Sequence, residues 1–356
     1  MRLLTSTMAA AAAVLGLSAA SHAPARAAAP AAPPAACTPS GKLNFICGLK
    51  SVEDLVAVPG GRWLIGSSFG LGAAATSPSA GLYLIDVAGK SARPAKITGG
   101  AAPKTGPFAG CAAPDLKTLN THGLELRPGQ GGTHTLYAVN HAGRESIEVF
   151  SLDTRGAEPV ATWTGCVVMP GGAAANSVAA LSNGRLAMTK FQTARSPDAI
   201  MTVLKGGISG AVYIWTPGSG FKELPGSQLA GDNGITASPD GKWLFVNAYG
   251  GQAVHRFALD GSAPPKVAKV DIRPDNIRWS PDGQLLVTGQ FIKPETLNKP
   301  HGWAVLRLDP NTMVVTTVLK EAALPSFDDA TTAIRVGGQM WIGTFRGDRI
   351  AYTASN

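Results

Sequence analysis

Three observations predict an all-β chain, a six-bladed β-propeller with four strands to a blade and a central metal site. The composition is rich in turn residues and poor in charge. A hairpin signature recurs along the sequence. Polar residues stand at one height in successive copies of it. Of the 356 residues, 45% are hydrophobic and only 15% charged, with 43 Gly and 26 Pro. The charged share is well below the usual quarter, which excludes a coiled coil or helical bundle rich in Glu and Lys. The hydrophobic share is too high for a disordered chain.

Residues 1–27 read as a secretory signal peptide: Arg2, then an apolar run from Met8 to Ala20, then the small-residue exit Ala25-Arg26-Ala27. Cleavage is expected after Ala27, with Ala23 as the alternative. Residues 28–47 form an Ala/Pro leader and N-terminal segment, and 48–356 the propeller. The formal charge of +8 falls by two once Arg2 and Arg26 leave. What remains is scattered, with no basic run interleaved with aromatics, so nucleic acid is not an expected partner. No later stretch is apolar for the ~18 residues a membrane span needs. A secreted or periplasmic protein without a membrane span is therefore expected. In that oxidising compartment Cys37, Cys47, Cys111 and Cys166 should be disulfides. Local pairing, Cys37 with Cys47 and Cys111 with Cys166, is the expectation among three possible schemes. Zinc is disfavoured because no Cys-x-x-Cys pair exists.

The hairpins follow in order. Val52 to Gly66 turns at Gly60-Gly61, Asn176 to Met188 at Asn183-Gly184, Asn233 to Val246 at Asp240-Gly241, and Asp275 to Val287 at Asp282-Gly283. Asn-Gly and Asp-Gly suit tight hairpins because both residues tolerate positive φ. Weaker copies begin at His122 and at Thr332. A further strand follows most copies: Gly81–Ile85, Ser146–Phe150, Ala211–Trp215, Ala253–Phe257 and Trp303–Leu308. Taking Glu53, His122, Asn176, Asn233, Asn276 and Thr331 as markers, the unit recurs every 43 to 69 residues. That approximates the spacing of four-stranded propeller blades. Six units fill the chain from about residue 48. A β-sandwich could use the same strands, but nothing in it requires six recurrences.

Seven residues before the first turn residue stand Glu53, Asn176, Asn233 and Asp275. All four therefore start the first strand of a blade, the strand that lines a propeller's channel. With Asn276 they supply two carboxylates and three amides, hard oxygen donors of the number and charge that Ca²⁺ takes. Zinc would favour His or Cys, and Mg²⁺ a stiffer octahedron. Taken singly, each is as readily a turn or cap residue bonding its own backbone. The shared height is what argues for a common site.

The segments Ser51-Val-Glu-Asp-Leu, Thr121-His-Gly-Leu, Tyr137 to Phe150 (with Val139-Asn140-His141), Ala175-Asn-Ser-Val and Pro274-Asp-Asn-Ile resemble the paraoxonase/arylesterase family, within the gluconolactonase-like calcium propellers. The resemblance runs in order from about residue 48. It implies that Glu53, Asn176, Asn233, Asp275 and Asn276 hold a catalytic calcium, and that His122 and His141 handle the water proton. It also implies a second, structural calcium on Asp54, the carbonyl of Leu124 and an acid after the first asparagine. Here that third position is Ser177, so the second set is incomplete. The family's disulfide from the N-terminal region to the last strand has no counterpart, because no cysteine lies beyond Cys166. Ring closure must then rest on hydrogen bonds.

The implied chemistry is hydrolysis of a lactone or (aryl) ester. Calcium acts as Lewis acid, His122 as base, His141 as relay, and Glu53 as the alternative base. The partner is then a small-molecule lactone or ester. No P-loop or Rossmann fingerprint is present. Two other readings remain: a non-catalytic propeller binding a ligand or protein with a structural calcium, and a strictosidine-synthase-like enzyme. The second would leave the Glu/Asn/Asn/Asp register without a purpose. Phe69, Leu71, Phe191, Tyr249, Phe291, Phe327 and Phe345 are candidate pocket walls. Gly70 to Ala80, Thr193 to Gly210 and Gln290 to Gly302 should be loops over one mouth.

Overall fold

The computed structural model describes residues 37–70, 81–99, 101–192 and 197–355. The expected signal peptide and most of the Ala/Pro leader lie outside them, as do Leu71 and the rest of that first loop. Six small sheets form the ring of a six-bladed β-propeller. The innermost strands, in order around the channel, are Leu55–Ala57, Thr121–Arg127, Ala175–Ala180, Asp232–Ala237, Arg273–Trp279 and Ala330–Val336. Each blade continues outward by antiparallel hairpins. The second blade differs from the four-stranded expectation by a fifth, outermost strand, Lys96–Thr98, which runs parallel to Val160–Val168.

Closure follows from the missing cysteine. Asn44–Cys47, assigned from sequence to the N-terminal segment, is the outer strand of the sixth blade, paired antiparallel from Asn44↔Tyr352 to Cys47↔Arg349. The first and last parts of the described chain thus share one sheet. The Cys37–Cys47 disulfide (Cα–Cα 6.0 Å) staples the segment just before this strand. Cys111–Cys166 (Cα–Cα 5.7 Å) ties the loop between the outermost strand Lys96–Thr98 and the innermost strand Thr121–Arg127 of blade 2 to that blade's fourth strand. Both pairings are those expected from the sequence. Two disulfides suit an extracellular or periplasmic compartment. Among the described residues no helix is long and apolar enough to cross a membrane.

The alternation read from the sequence fills the space between blades. Each adjacent pair shares an apolar layer. Ile65, Leu84, Leu136 and Trp163 pack between blades 1 and 2, and Val178, Met188, Val149 and Trp215 between 2 and 3. Leu64, Ile85 and Trp341 join blades 6 and 1. Such layers fix the blades relative to the axis because each fully buried Leu or Ile contributes about 1.5–3 kcal/mol.

The turns divide into two kinds. Asn183 (φ 58) and Gly184 (φ 71) are both left-handed, as an Asn-Gly hairpin should be. In the two Ser-Pro-Asp-Gly copies only the glycines are, Gly241 (φ 71) and Gly283 (φ 75), and their N–H groups bond back to Ser238 O and Ser280 O at 2.9 Å. Proline at the second position sets a type I turn, which a left-handed glycine then closes. One expected loop is also revised. Pro197–Leu204 is an α-helix, whose Val203 and Leu204 are buried with Tyr249 and Ile292.

Candidate functional site

A β-bulge opens five of the six innermost strands. Pairing jumps from Thr121 to Leu124, Ala175 to Val178, Asp232 to Ile235 and Pro274 to Ile277, so two residues face one on the partner strand. In the sixth blade the shift lies between Ala330 and Thr332. A bulge re-aims side chains. Here it acts at His122, Asn176, Asn233, Asp275 and Thr331, each in the same register two residues before the resumed ladder or next to it. Glu53 holds the equivalent place, two residues before Leu55↔Gly66. Glycine follows where backbones meet: a Cβ on Gly234 would lie 2.4 Å from Asp275 O, and one on Gly123 2.6 Å from Asn176 O.

Side chains of neighbouring strands hold the backbone at these positions. Thr189 Oγ1 donates to Asn233 O (2.6 Å) and Asn247 Nδ2 to Asp275 O (2.8 Å). Thr331 Oγ1 donates to Glu53 O (2.6 Å). Gln290 was missed from the sequence. Its Nε2 donates to Asp275 Oδ2 and to Ala330 O, both at 2.8 Å, while Tyr249 O–H donates to its Oε1 at 2.9 Å.

Glu53, Asn276, Asp275 and Asn233 are brought together. Asn276 Nδ2 donates to Glu53 Oε1 at 2.6 Å, and Asn233 bonds the Asp275 carboxylate. Asn176 occupies the same register on the next blade. Burial, followed by repulsion from Asp275 and Asp54, pushes the Glu53 carboxyl well above its ordinary range. Burial pushes Asp275 up to about 7, against the pull of Gln290 and Asn233. Glu53 Oε2, Asn176 Oδ1, Asn233 Oδ1 and Asn276 Oδ1 are buried without any hydrogen-bond partner. Buried polar atoms are nearly always bonded, so four orphaned oxygens, three in one register and one on the adjacent Asn276, are what a cation would satisfy. Among the described residues no three His, Cys, Asp or Glu cluster as a metal site. The donors here are mostly amides, which suit calcium and not zinc.

The two histidines do meet. His122 Nδ1 and His141 Nε2 are 3.0 Å apart, and His141 Nδ1 lies 2.7 Å from Glu145 Oε2. His122 Nε2 points to Glu53 Oε2 at 3.7 Å. The Phe69 ring stacks on His122 with centroids 4.0 Å apart and fixes its plane. The Glu145 carboxylate can only accept, so His141 presents N–H to it and a lone pair to His122. His122 then donates from Nδ1, which leaves Nε2 as its basic nitrogen on the Glu53 side. Glu145 was not foreseen, and its four-residue separation from His141 was the available signal.

The second ion does not fit. Asp54 is committed elsewhere: its Oδ2 pairs with Arg278 Nη2 and accepts Leu124 N–H (2.7 Å), and its Oδ1 accepts Leu55 N–H (2.8 Å) and Thr332 Oγ1 (3.1 Å). The guanidinium stands where the sequence resemblance implies a metal. Of the expected walls, Phe69 and the Phe191–Tyr249 pair (5.5 Å) sit beside site residues. Phe327 instead packs on Trp303 (5.7 Å) in the layer between blades 5 and 6.

No known family profile and no curated protein matches the chain in sequence. Its fold does match solved structures. A gluconolactonase from Xanthomonas campestris is similar over 88% of this chain and 89% of its own, with TM-score 0.53 and 15% identity. A luciferin-regenerating enzyme matches over 88% and 95% (TM-score 0.53, 12% identity). Regucalcin from Agrobacterium tumefaciens, a calcium-binding protein, matches over 87% and 92% (TM-score 0.51, 11% identity). The shared property is the propeller fold. The paraoxonase/arylesterase resemblance rests on the sequence motifs alone.

Proposed function

We propose that this chain is a secreted, calcium-dependent hydrolase of lactones or aryl esters. The observation that carries the reading is a histidine relay ending 3.7 Å from Glu53 Oε2, an oxygen that belongs to a layer of orphaned buried donors. Glu53, Asn176, Asn233, Asp275 and Asn276 would hold Ca²⁺, which when bound supplies Lewis-acid polarisation of the substrate carbonyl and stabilises the oxyanion.

The chain's own groups supply the rest. His122 Nε2 takes a proton from the attacking water. The resulting imidazolium can hand its Nδ1 proton to His141 Nε2 as His141 passes its own Nδ1 proton to Glu145, which leaves both rings neutral. The Glu145 side chain is 19% exposed, against 2% for His141, so the path leads from the channel toward solvent. Phe69 keeps the His122 ring in plane and excludes water from one of its faces. Glu53 is the alternative base. The fold neighbours named for lactone hydrolysis and calcium binding are consistent with this reading.

The test is hydrolysis of a lactone and aryl-ester panel by the mature protein, with EDTA and then with calcium restored. Activity that disappears and returns supports the proposal. No turnover in any arm, alongside calcium-dependent thermal stability, would replace it with a ligand-binding propeller.

A further inference from the structure

Arg278, on the innermost strand of blade 5, carries its side chain to two other blades. Its position in Arg273–Trp279 is occupied by Ala179 and Thr236 in the equivalent strands of blades 3 and 4. The side chain is 8% exposed. Nη2 pairs with the Asp54 carboxylate and donates to Leu124 O at 2.7 Å, Nε donates to Leu55 O at 3.3 Å, and Nη1 to its own Ile277 O at 3.3 Å. One cation thereby ties blade 5 to blades 1 and 2. Thr332 of blade 6 adds a hydrogen bond to the same Asp54 carboxylate. Ser177 Oγ, buried in the layer of Asp54, has no hydrogen-bond partner.

We propose that Arg278 is a built-in cation, its guanidinium occupying the layer of Asp54, Leu124 O and Leu55 O that a divalent ion would otherwise hold. The chain therefore takes one ion, in the layer of Glu53 and Asp275, and needs none below it. A carboxylate and converging carbonyls are hard donors that accept a guanidinium or Ca²⁺. A covalently attached cation cannot be chelated away, so the tie between blades survives metal removal. The proposal deepens the calcium reading and rests on it only for the upper ion.

The test counts bound calcium by equilibrium dialysis and follows melting temperature in the wild type, Arg278→Ala and Arg278→Lys. The wild type should hold about one ion per chain and Arg278→Lys the same. Arg278→Ala should melt lower in EDTA, gain a second ion, and recover more of its melting temperature on adding calcium than the wild type does. About two ions in the wild type overturns the proposal even if Arg278→Ala fails to fold. So does an Arg278→Ala protein with unchanged ion count and melting temperature. No ion in the wild type with one gained in Arg278→Ala sinks the calcium hydrolase and leaves the Arg278 assignment standing.

Discussion

The proton path through His122 depends on which nitrogen of His141 carries hydrogen, and Glu145 decides it. His122→Gln should lower turnover by about 10²–10⁴, the usual range for loss of a general base. Glu145→Gln should leave KM near its wild-type value, lower turnover less than His122→Gln does, and shift the acid limb of the pH–rate profile. A profile that merely scales down would give Glu145 a structural role only. A different histidine governs pH-dependent stability. Burial, then Lys269, holds the His255 pKa down at about 4, from an ordinary 6.5. The unfolded chain takes up that proton more readily, so the contribution is intact above 6.5 and is lost as pH falls toward 4. His255→Gln should melt with a shallower decline over that window, and equal slopes for both proteins would contradict the assignment. His122 and His141 were legible because each sits in a short, distinctive motif. Glu145 and Arg278 were not, because their partners are defined only once strands are in register. An arginine at an alternating position where sister strands carry Ala or Thr was the visible trace of the second.

The bulge at five of the six channel strands converts a repeat in sequence into a shared register of donors. Gly234 shows how tightly it is built, since a Cβ there would lie 2.4 Å from Asp275 O and 2.7 Å from Asn276 Cα. Gly234→Ala should destabilise the protein by about 1–3 kcal/mol, in the range of overpacked cores. It should also weaken calcium binding, because the strand it pushes carries two of the ligands. A calcium titration and a denaturant melt check both effects. The hairpins were readable from their glycines, yet the bulges were not, because a two-for-one pairing leaves no composition signal. Helix Pro197–Leu204 escaped notice for a related reason. Its eight residues are too few for a periodic pattern to stand out. Among the connections, Cys111–Cys166 closes a 55-residue separation. Replacing both cysteines by Ala should cost about 2–4 kcal/mol in a non-reducing melt.

Closure of the ring by Asn44–Cys47 against Arg349–Ala354 makes the propeller one cooperative body held by hydrogen bonds, interblade apolar layers and the Arg278 tie. Six recurrences of one turn pattern made this architecture visible before any coordinate. Four residues at one height likewise announced the donor ring. Charge balance was not visible in the same way, because the neutralising cation of Asp54 is supplied by a strand more than two hundred residues away. A ligand that binds only the folded ring stabilises it by about 2.7 kcal/mol at a hundred times its Kd. Calcium should therefore raise the melting temperature of the wild type. Asn233→Ala should lose most of that rise, and should also melt lower in EDTA because its amide N–H no longer bonds the buried Asp275 carboxylate. The most direct test of the division between donor ring and histidine relay is calcium affinity and lactone turnover measured side by side in His122→Gln. The account predicts wild-type calcium binding with turnover down by at least about a hundredfold. Turnover at the wild-type rate in a calcium-replete His122→Gln protein would contradict it.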